Sequence, residues 1–323
     1  MKIIISVGDF IDTYYKLQQK GLGFLFNRFS IFYTSRVRKI WAHVDNPPIH
    51  WWSIPKIKQR WNKAITGNSF MDYPDYLFDK YLEGKENLRM ICPGCGSGSN
   101  EIKFAKFNNF NRIEGFDLSP KRINIAKENA EKMGYKNLFY FVNDIYQFDF
   151  GNMRYDLVLF DSSLHHFKNL DKILENVYNS LTSQGLLIIN EYVGPNRFQW
   201  TEEQLINANK CLNKIPAVYR KRWMSNKIKS KIYRPGYLRM YLSDPSEAVK
   251  SDMILPEIRN RFTVIEEKLY GGNLLHLIFK DISHNFIEDD YEKDRILNHL
   301  FEIEDSFIKT NNHSDFIFGI YSR

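Results

Sequence analysis

The sequence predicts an α/β protein: a doubly wound, mostly parallel sheet of seven strands, with an N-terminal helical cap and an insertion after strand five. Three observations lead there. Between residues 88 and 191, short runs rich in Ile, Leu, Val and Phe alternate with helical stretches, and the runs lack the polar alternation of a half-exposed strand. A glycine-rich turn, Cys92-Pro93-Gly94-Cys95-Gly96-Ser97-Gly98, follows the first run. Acidic residues stand at or just after the ends of the next ones, at Asp117, Asp144 and Asp161.

Taken in order, residues 8 to 42 and 53 to 83 carry apolar and aromatic residues at spacings near three and four, which predicts helices, broken by Asn46-Pro47-Pro48. Leu88 to Cys92 is the first strand, and a helix follows from about Ser99 to Phe107. Arg112 to Leu118 is the second strand. Ser119 then suits an N-cap and Pro120 the first helical position of a run to Lys132. Strands at Asn137 to Asn143, Tyr155 to Asp161 and Gly185 to Glu191, with a helix at Leu170 to Leu181, complete the regular part. Residues 193 to 261 form the insertion, helical at Thr201 to Leu212, with a basic stretch from Arg220 to Arg239 and a capping-box pattern at Asp244-Pro245-Ser246-Glu247. Phe262 to Leu269 and Asp315 to Tyr321 read as two late strands able to pair antiparallel, separated by the Gly271-Gly272 turn and two helices.

Composition limits the function classes. The chain has 323 residues, 43% hydrophobic and 26% charged, a globular balance without repeats. Three cysteines argue against a disulfide framework, and the broken apolar run Ile3 to Val7 is neither a signal nor a span, so a cytoplasmic location is expected. The net charge of +7 is uneven: residues 1 to 70 carry +8 and residues 201 to 261 carry +7, leaving an acidic body with two basic additions suited to an anionic partner. Cys92 and Cys95 lack the Cys/His company of a metal site, and no metal is expected.

In a doubly wound sheet, ligands lie beyond the carboxyl ends of the strands, where strand order reverses. Gly94, Gly96 and Gly98 fall on that loop, Asp117 is placed to accept both hydroxyls of a ribose, and Asp144 stands where an adenine edge would be read. These residues, with Asn143-Asp144 and the run Asp161-Ser162-Ser163-Leu164-His165-His166, resemble the class I S-adenosylmethionine-dependent methyltransferases, closely over residues 85 to 192 and more loosely toward the C-terminus. The resemblance implies a Rossmann-like methyltransferase fold of strand order 3-2-1-4-5-7-6 with strand seven antiparallel. It divides the chain into a cap at 1–84 and a methyltransferase domain at 85–323, of which 193–261 covers the acceptor side. It implies S-adenosyl-L-methionine as cofactor, held by the loop Cys92, Gly94, Cys95, Gly96 and Gly98, by Asp117 and Leu118 at the ribose, and by Asn143, Asp144 and Ile145 at the adenine. The acidic residue that usually opens the glycine motif is here Cys92, so the donor's amino acid end needs another partner: Asp161, Tyr73 or Tyr76.

The acceptor is expected over strands four and five. His165 or His166 is placed to act as base, or to pack, and Glu191 as a group at the pocket mouth. Tyr192, Arg197 and Trp200 suit an acceptor with stackable faces and an anionic edge. This leads to O-methylation of a small or glycan-like acceptor, with phosphate or carboxylate favoured by the basic additions. An RNA methyltransferase and a non-catalytic binding protein are the alternatives. Trp41, Trp51, Trp52 and Trp61 among Lys56, Lys58, Arg60 and Lys63 suit single-stranded nucleic acid, an anionic membrane surface or the packing of the cap, and the cap is the reading taken.

Overall fold

The computed structural model describes residues 3–20, 36–38 and 49–323; Trp41 and part of the expected helix at 8–42 lie outside them. The elements that position the site are β1 (Leu88–Pro93), α4 (Ser99–Ala105), β2 (Phe110–Asp117), α5 (Pro120–Met133), β3 (Leu138–Val142), β4 (Tyr155–Asp161), α6 (Leu170–Ser180) and β5 (Leu181–Tyr192). Before them come α1 (Val7–Lys20), α2 (Pro55–Thr66) and α3 (Tyr73–Leu77). After them come α7 (Glu202–Lys214), α8 (Tyr237–Ser243), α9 (Ile254–Arg259), β6 (Thr263–Gly271), α10 (Leu275–Phe279), α11 (Tyr291–Asn311) and β7 (Phe316–Ser322).

The seven strands form one sheet of order 3-2-1-4-5-7-6. β1 to β5 pair in parallel, while β7 runs antiparallel to both β5 and β6. The apolar runs fail to alternate because both faces are covered. Met90, Leu157, Leu159, Leu186 and Ile188 pack on the side of α2, α3 and the insertion, while Ile91, Val158, Phe160, Leu187 and Ile189 pack on the side of α6 and α9.

Local chemistry sets the boundaries. Ser119 Oγ accepts from the Arg122 amide, Pro120 opens α5, and Gly134 closes it with φ 73°. Thr201 and Gln204 form a reciprocal capping box at α7, and the same Gln204 side chain donates to Asp315 at 3.0 Å. Two expectations need correction. The helix expected over 53–83 is interrupted at left-handed Gly67 and resumes as α3, continued by a π-helical turn at Phe78–Leu82. The capping-box pattern at Asp244–Glu247 starts no helix. Asp244 Oδ1 accepts from the Ser246 amide and hydroxyl, and Arg197 occupies the carbonyls of Asp244, Pro245 and Glu247 that a helix would need.

The N-terminal elements cover the sheet beside β6 and β7. Trp51 is buried, with its ring edge-on to Trp61 at 4.6 Å and to Phe316 at 5.3 Å. Trp51 and Trp61 therefore pack against each other and against β7 through Phe316.

Candidate active site

A cavity of about 670 Å³ opens at the carboxyl ends of the central strands. One half of its lining is Gly94, Asp117, Leu118, Asn143, Asp144 and Ile145; the other is aromatic, with Trp51, Tyr192, Phe198, His276 and Phe316 in ring contact, and Trp52, His165, His166 and Glu247 line the cavity as well.

The glycine turn brings backbone close to the first half. Gly94 has φ 72°, and a Cβ there would lie 2.8 Å from that of Ser163; at Gly98, φ 77°, it would lie 2.7 Å from the Tyr140 hydroxyl oxygen. A side chain at either position would clash with its neighbours, and at Gly94 it would also narrow the cavity wall. Asp117 braces the turn, accepting from the amides of Gly96 (3.1 Å) and Ser119 (2.8 Å), while still facing the cavity. Asn143 and Asp144 hold the next loop, with Asn143 Oδ1 accepting from the Asp144 amide at 2.8 Å and Asp144 Oδ1 from the Tyr146 amide at 3.1 Å.

Cys92, Cys95, Gly96, Gly98 and Asp161 lie behind this wall rather than in it. Asp161 is engaged by the Tyr73 hydroxyl at 2.6 Å and by Asn190 Nδ2 at 3.2 Å, and burial raises its carboxyl above the usual range despite these hydrogen bonds. Tyr76 goes elsewhere, to Glu266 at 2.7 Å. Sequence reasoning missed Glu101 on α4. It is buried beside Cys92, its Oε2 has no hydrogen-bond partner, and burial pushes its carboxyl up to about 7. The carboxylate absent at position 92 is thus matched by one reaching the same place from the next helix. Two buried acids lie behind the wall, and among the described residues the lysine whose charge reaches both, Lys103, is exposed, so this side of the cavity favours a cation.

Glu191 is not at the pocket mouth. It is completely buried, and it accepts the amides of Ser163 and Leu164 on Oε1, both at 2.6 Å, and faces His165 Nδ1 from Oε2 at 2.7 Å. The carboxylate therefore holds the β4 loop, in which Ser162 is left-handed at φ 53°, and fixes the imidazole with its proton on Nδ1. His165 Nε2 then faces Glu247 Oε1 at 3.6 Å. Burial alone would lower the His165 pKa, but Glu191, Glu247 and Asp244 raise it above the ordinary value. His166, whose ring lies 4.2 Å away, is lowered by burial and by the charge of His165. Ligating atoms of His165, His166 and Glu247 lie within 4.8 Å of one another, spacing that would also suit a small cation.

The aromatic half is built from distant parts of the chain. Phe198 stacks on Trp200 at 5.6 Å and meets His276 edge-on, so Trp200 backs the wall from a buried position. Tyr192 lines the cavity and donates its hydroxyl to the Pro195 carbonyl at 3.0 Å. His276 stays neutral, pushed down to about 3 by burial and the nearby lysines, and its Nδ1 has no hydrogen-bond partner. Arg197 does not line the cavity. Its guanidinium is 3.2, 2.9 and 2.7 Å from the carbonyls of Asp244, Glu247 and Pro245, so it folds the turn that presents Ser246 and Glu247. Other cations of the insertion are likewise engaged by partners within the fold, although Arg222 also lines the cavity. Arg222 pairs with Asp281, Arg239 with Asp9 and Asp12, Arg234 with Glu202, and buried Lys229 donates to the carbonyls of Leu277, Ile278 and Lys280.

Residues 84–237 match a protein family described as a methyltransferase domain. A curated relative, the demethylmenaquinone methyltransferase of Bacteroides fragilis, is 31% identical over 88 residues, which are 27% of this chain and 36% of the relative. The chain thus spans about a third of that relative's length. Among solved structures, geranyl diphosphate C-methyltransferase from Streptomyces coelicolor, determined with Mg2+, geranyl diphosphate and S-adenosyl-L-homocysteine, superposes with a TM-score of 0.53 at 11% identity, over 90% of this chain and 97% of the other.

Proposed function

Because the chain belongs to the class I S-adenosylmethionine-dependent methyltransferase family, we propose that it transfers the donor's methyl group to a hydroxyl oxygen of a small acceptor with a flat, ring-like body. The observation that carries this reading is His165, whose Nδ1 lies 2.7 Å from Glu191 Oε2, on the wall of the same cavity as Gly94, Asp117 and Phe198. The donor supplies an electrophilic methyl carbon on sulfonium. The chain's own part is to place that carbon in line with the acceptor oxygen and to take the hydroxyl proton on His165 Nε2. Gly94 admits the donor closely, Asp117 offers carboxylate oxygens to the ribose, and Asn143 to Ile145 flank the base. Asp161, to which the neutral Tyr73 hydroxyl donates, and Glu101 form the acidic surroundings of its ammonium.

The aromatic walls suit a sugar ring as well as an aromatic one. An acceptor phosphate has less support from the insertion, whose cavity-lining Arg222 is paired with Asp281 and whose Arg197 is held by backbone carbonyls. The cap at 1–84 and the insertion at 193–261 supply the acceptor side through Trp51, Phe198 and Glu247.

Calorimetric titration of the donor into Asp117→Asn tests the donor assignment. Losing a charge-assisted hydrogen bond should weaken binding by about 1.5 to 3 kcal/mol, tenfold or more; unchanged affinity in a folded variant sinks it. Cell extract incubated with isotopically labelled donor identifies the acceptor by mass spectrometry, and labelled RNA would replace the small-acceptor reading. Activity abolished by a chelator and restored by a divalent ion would reassign His165 from base to ligand.

Glu101 gives a second test. A carboxyl raised to about 7 is partly protonated near neutral pH, and an ammonium seated beside it favours the charged form. Donor binding near neutral pH should therefore release a proton, read as a dependence of the calorimetric heat on the buffer's ionisation enthalpy. Glu101→Gln should remove most of that dependence. Heats that follow the buffer equally in both proteins would place the ammonium elsewhere.

A further inference from the structure

Over residues 7–14 the first helix reverses the usual amphipathic arrangement. In this stretch the polar side chains point inward: Asp9 is buried, accepting from the Gly236 amide at 2.8 Å and from Arg239 at 2.9 Å, and Asp12 meets Arg239 at 3.0 Å. Gly8 lies against the Tyr233 ring on that same side. The apolar residues point outward, with Val7 64% and Phe10 71% exposed one turn apart, and Ile4 and Ile5 exposed just before them. A surface helix ordinarily turns its apolar stripe to the core. The amides of Tyr237 and Leu238 donate to the carbonyls of Ile3 and Ile4, which joins α8 to this segment and extends the exposed face through Leu238 and Tyr241.

Charge indicates what covers the face. Residues 220–243, which lead into and form α8, contain eight Lys or Arg and no Asp or Glu. Several of these are internal, but Lys221, Lys227 and Lys231 are exposed, and Lys231 lies over the ring of Tyr233, which itself packs on Gly8. Apolar Met224 and Ile228 are exposed between the lysines.

We propose that α1, α8 and the 221–231 loop form one surface that docks on an anionic lipid bilayer, with the apolar side chains entering the headgroup boundary and the lysines pairing with lipid phosphates. Apolar side chains ringed by lysine are the chemistry of interfacial binding, where burial and attraction to anionic lipid act together. Asp12 of α1 and Arg222 of the loop also line the active-site cavity, so docking sets the cavity's rim against the membrane. The surface is independent of the methyl-transfer reading and is tested without any acceptor.

The test is co-sedimentation of the full chain with vesicles of phosphatidylcholine alone or with a quarter phosphatidylglycerol, at low and high salt. Wild type should sediment with the anionic vesicles, less so at high salt, and weakly with neutral ones. Val7→Ser/Phe10→Ser and, separately, Lys227→Glu/Lys231→Glu should each reduce the bound fraction about tenfold while circular dichroism and donor binding remain those of wild type. No binding to anionic vesicles, or binding that neither variant reduces, overturns the proposal. So does a wild-type dimer that ignores vesicles and becomes monomeric in Val7→Ser/Phe10→Ser, since a second copy would then own the face.

Discussion

Replacing Glu191 with Gln is expected to lower kcat by about 10²- to 10⁴-fold, the range for losing a positioned base, while leaving donor affinity unchanged. In the native protein Oε1 holds the amides of Ser163 and Leu164, and Oε2 meets His165 Nδ1. Glutamine has one carbonyl oxygen and one NH2 group. If the oxygen keeps the two amides, the NH2 faces Nδ1, which must then accept; the imidazole proton moves to Nε2, and the atom facing the acceptor can no longer take a proton. The reverse orientation sets NH2 against two backbone donors. Either way the tautomer or the loop is wrong. The pH profile separates positioning from a structural defect. A base must be neutral, and Glu191, Glu247 and Asp244 raise His165 above its ordinary value, so kcat/KM in wild type should rise with pH along a limb lying above 6.5. Removing the Glu191 charge should move whatever limb remains to lower pH. Nitrogen NMR shifts of the His165 ring report the tautomer directly, without an acceptor. A Glu191→Gln protein with the native tautomer and native kcat would show that the carboxylate only braces the loop.

Much of the sheet was legible because local and tertiary demands agree. β4, Tyr155–Asp161, reads as a buried strand from its own residues, and Ser119-Pro120 marks the start of α5 through cap chemistry that needs no distant partner. That Gly94, Asp117, Asn143 and Asp144 line one cavity was legible for the same reason: they lie on consecutive loops at one edge of consecutive parallel strands. What escaped is built from residues far apart in sequence. Glu101 is an unremarkable helix residue until folding sets it beside Cys92. Glu191 sits at a strand end, as expected, but the β4 loop folds over it and consumes both of its oxygens. The aromatic half joins Trp51, Phe198, His276 and Phe316, and His276 is delivered there by α10, whose N-terminal amides are held by buried Glu304 from α11. No spacing rule links these residues.

Arg197 shows how the same limit misassigns a role, and its replacement has the second large expected effect. An arginine in a loop after strand five, among aromatics, reads as an anion-binding group, and its removal would then cost acceptor affinity alone. In the structure the guanidinium bridges three carbonyls of the 244–247 turn, and its own amide donates to Ala248 at 2.7 Å. Charge-assisted bonds to half-buried carbonyls are the kind whose loss leaves acceptors unmatched, so Arg197→Ala should destabilise the fold by about 2 to 4 kcal/mol in denaturant unfolding. Two comparisons locate the cause. Arg197 is left-handed at φ 55°, so Arg197→Gly removes the side chain while relieving the backbone, and it should be slightly less destabilised than the alanine variant. Arg197→Lys keeps the charge but not the fork, and should recover only part of the loss. Because the turn presents Ser246 and Glu247 to the cavity, kcat should fall in all three variants while donor affinity holds. A stable Arg197→Ala protein that loses affinity for an anionic acceptor and nothing else would return the guanidinium to the substrate, and would require the turn to be held by its remaining hydrogen bonds, among them those of Asp244 with Ser246 and of the residue-197 amide with Ala248.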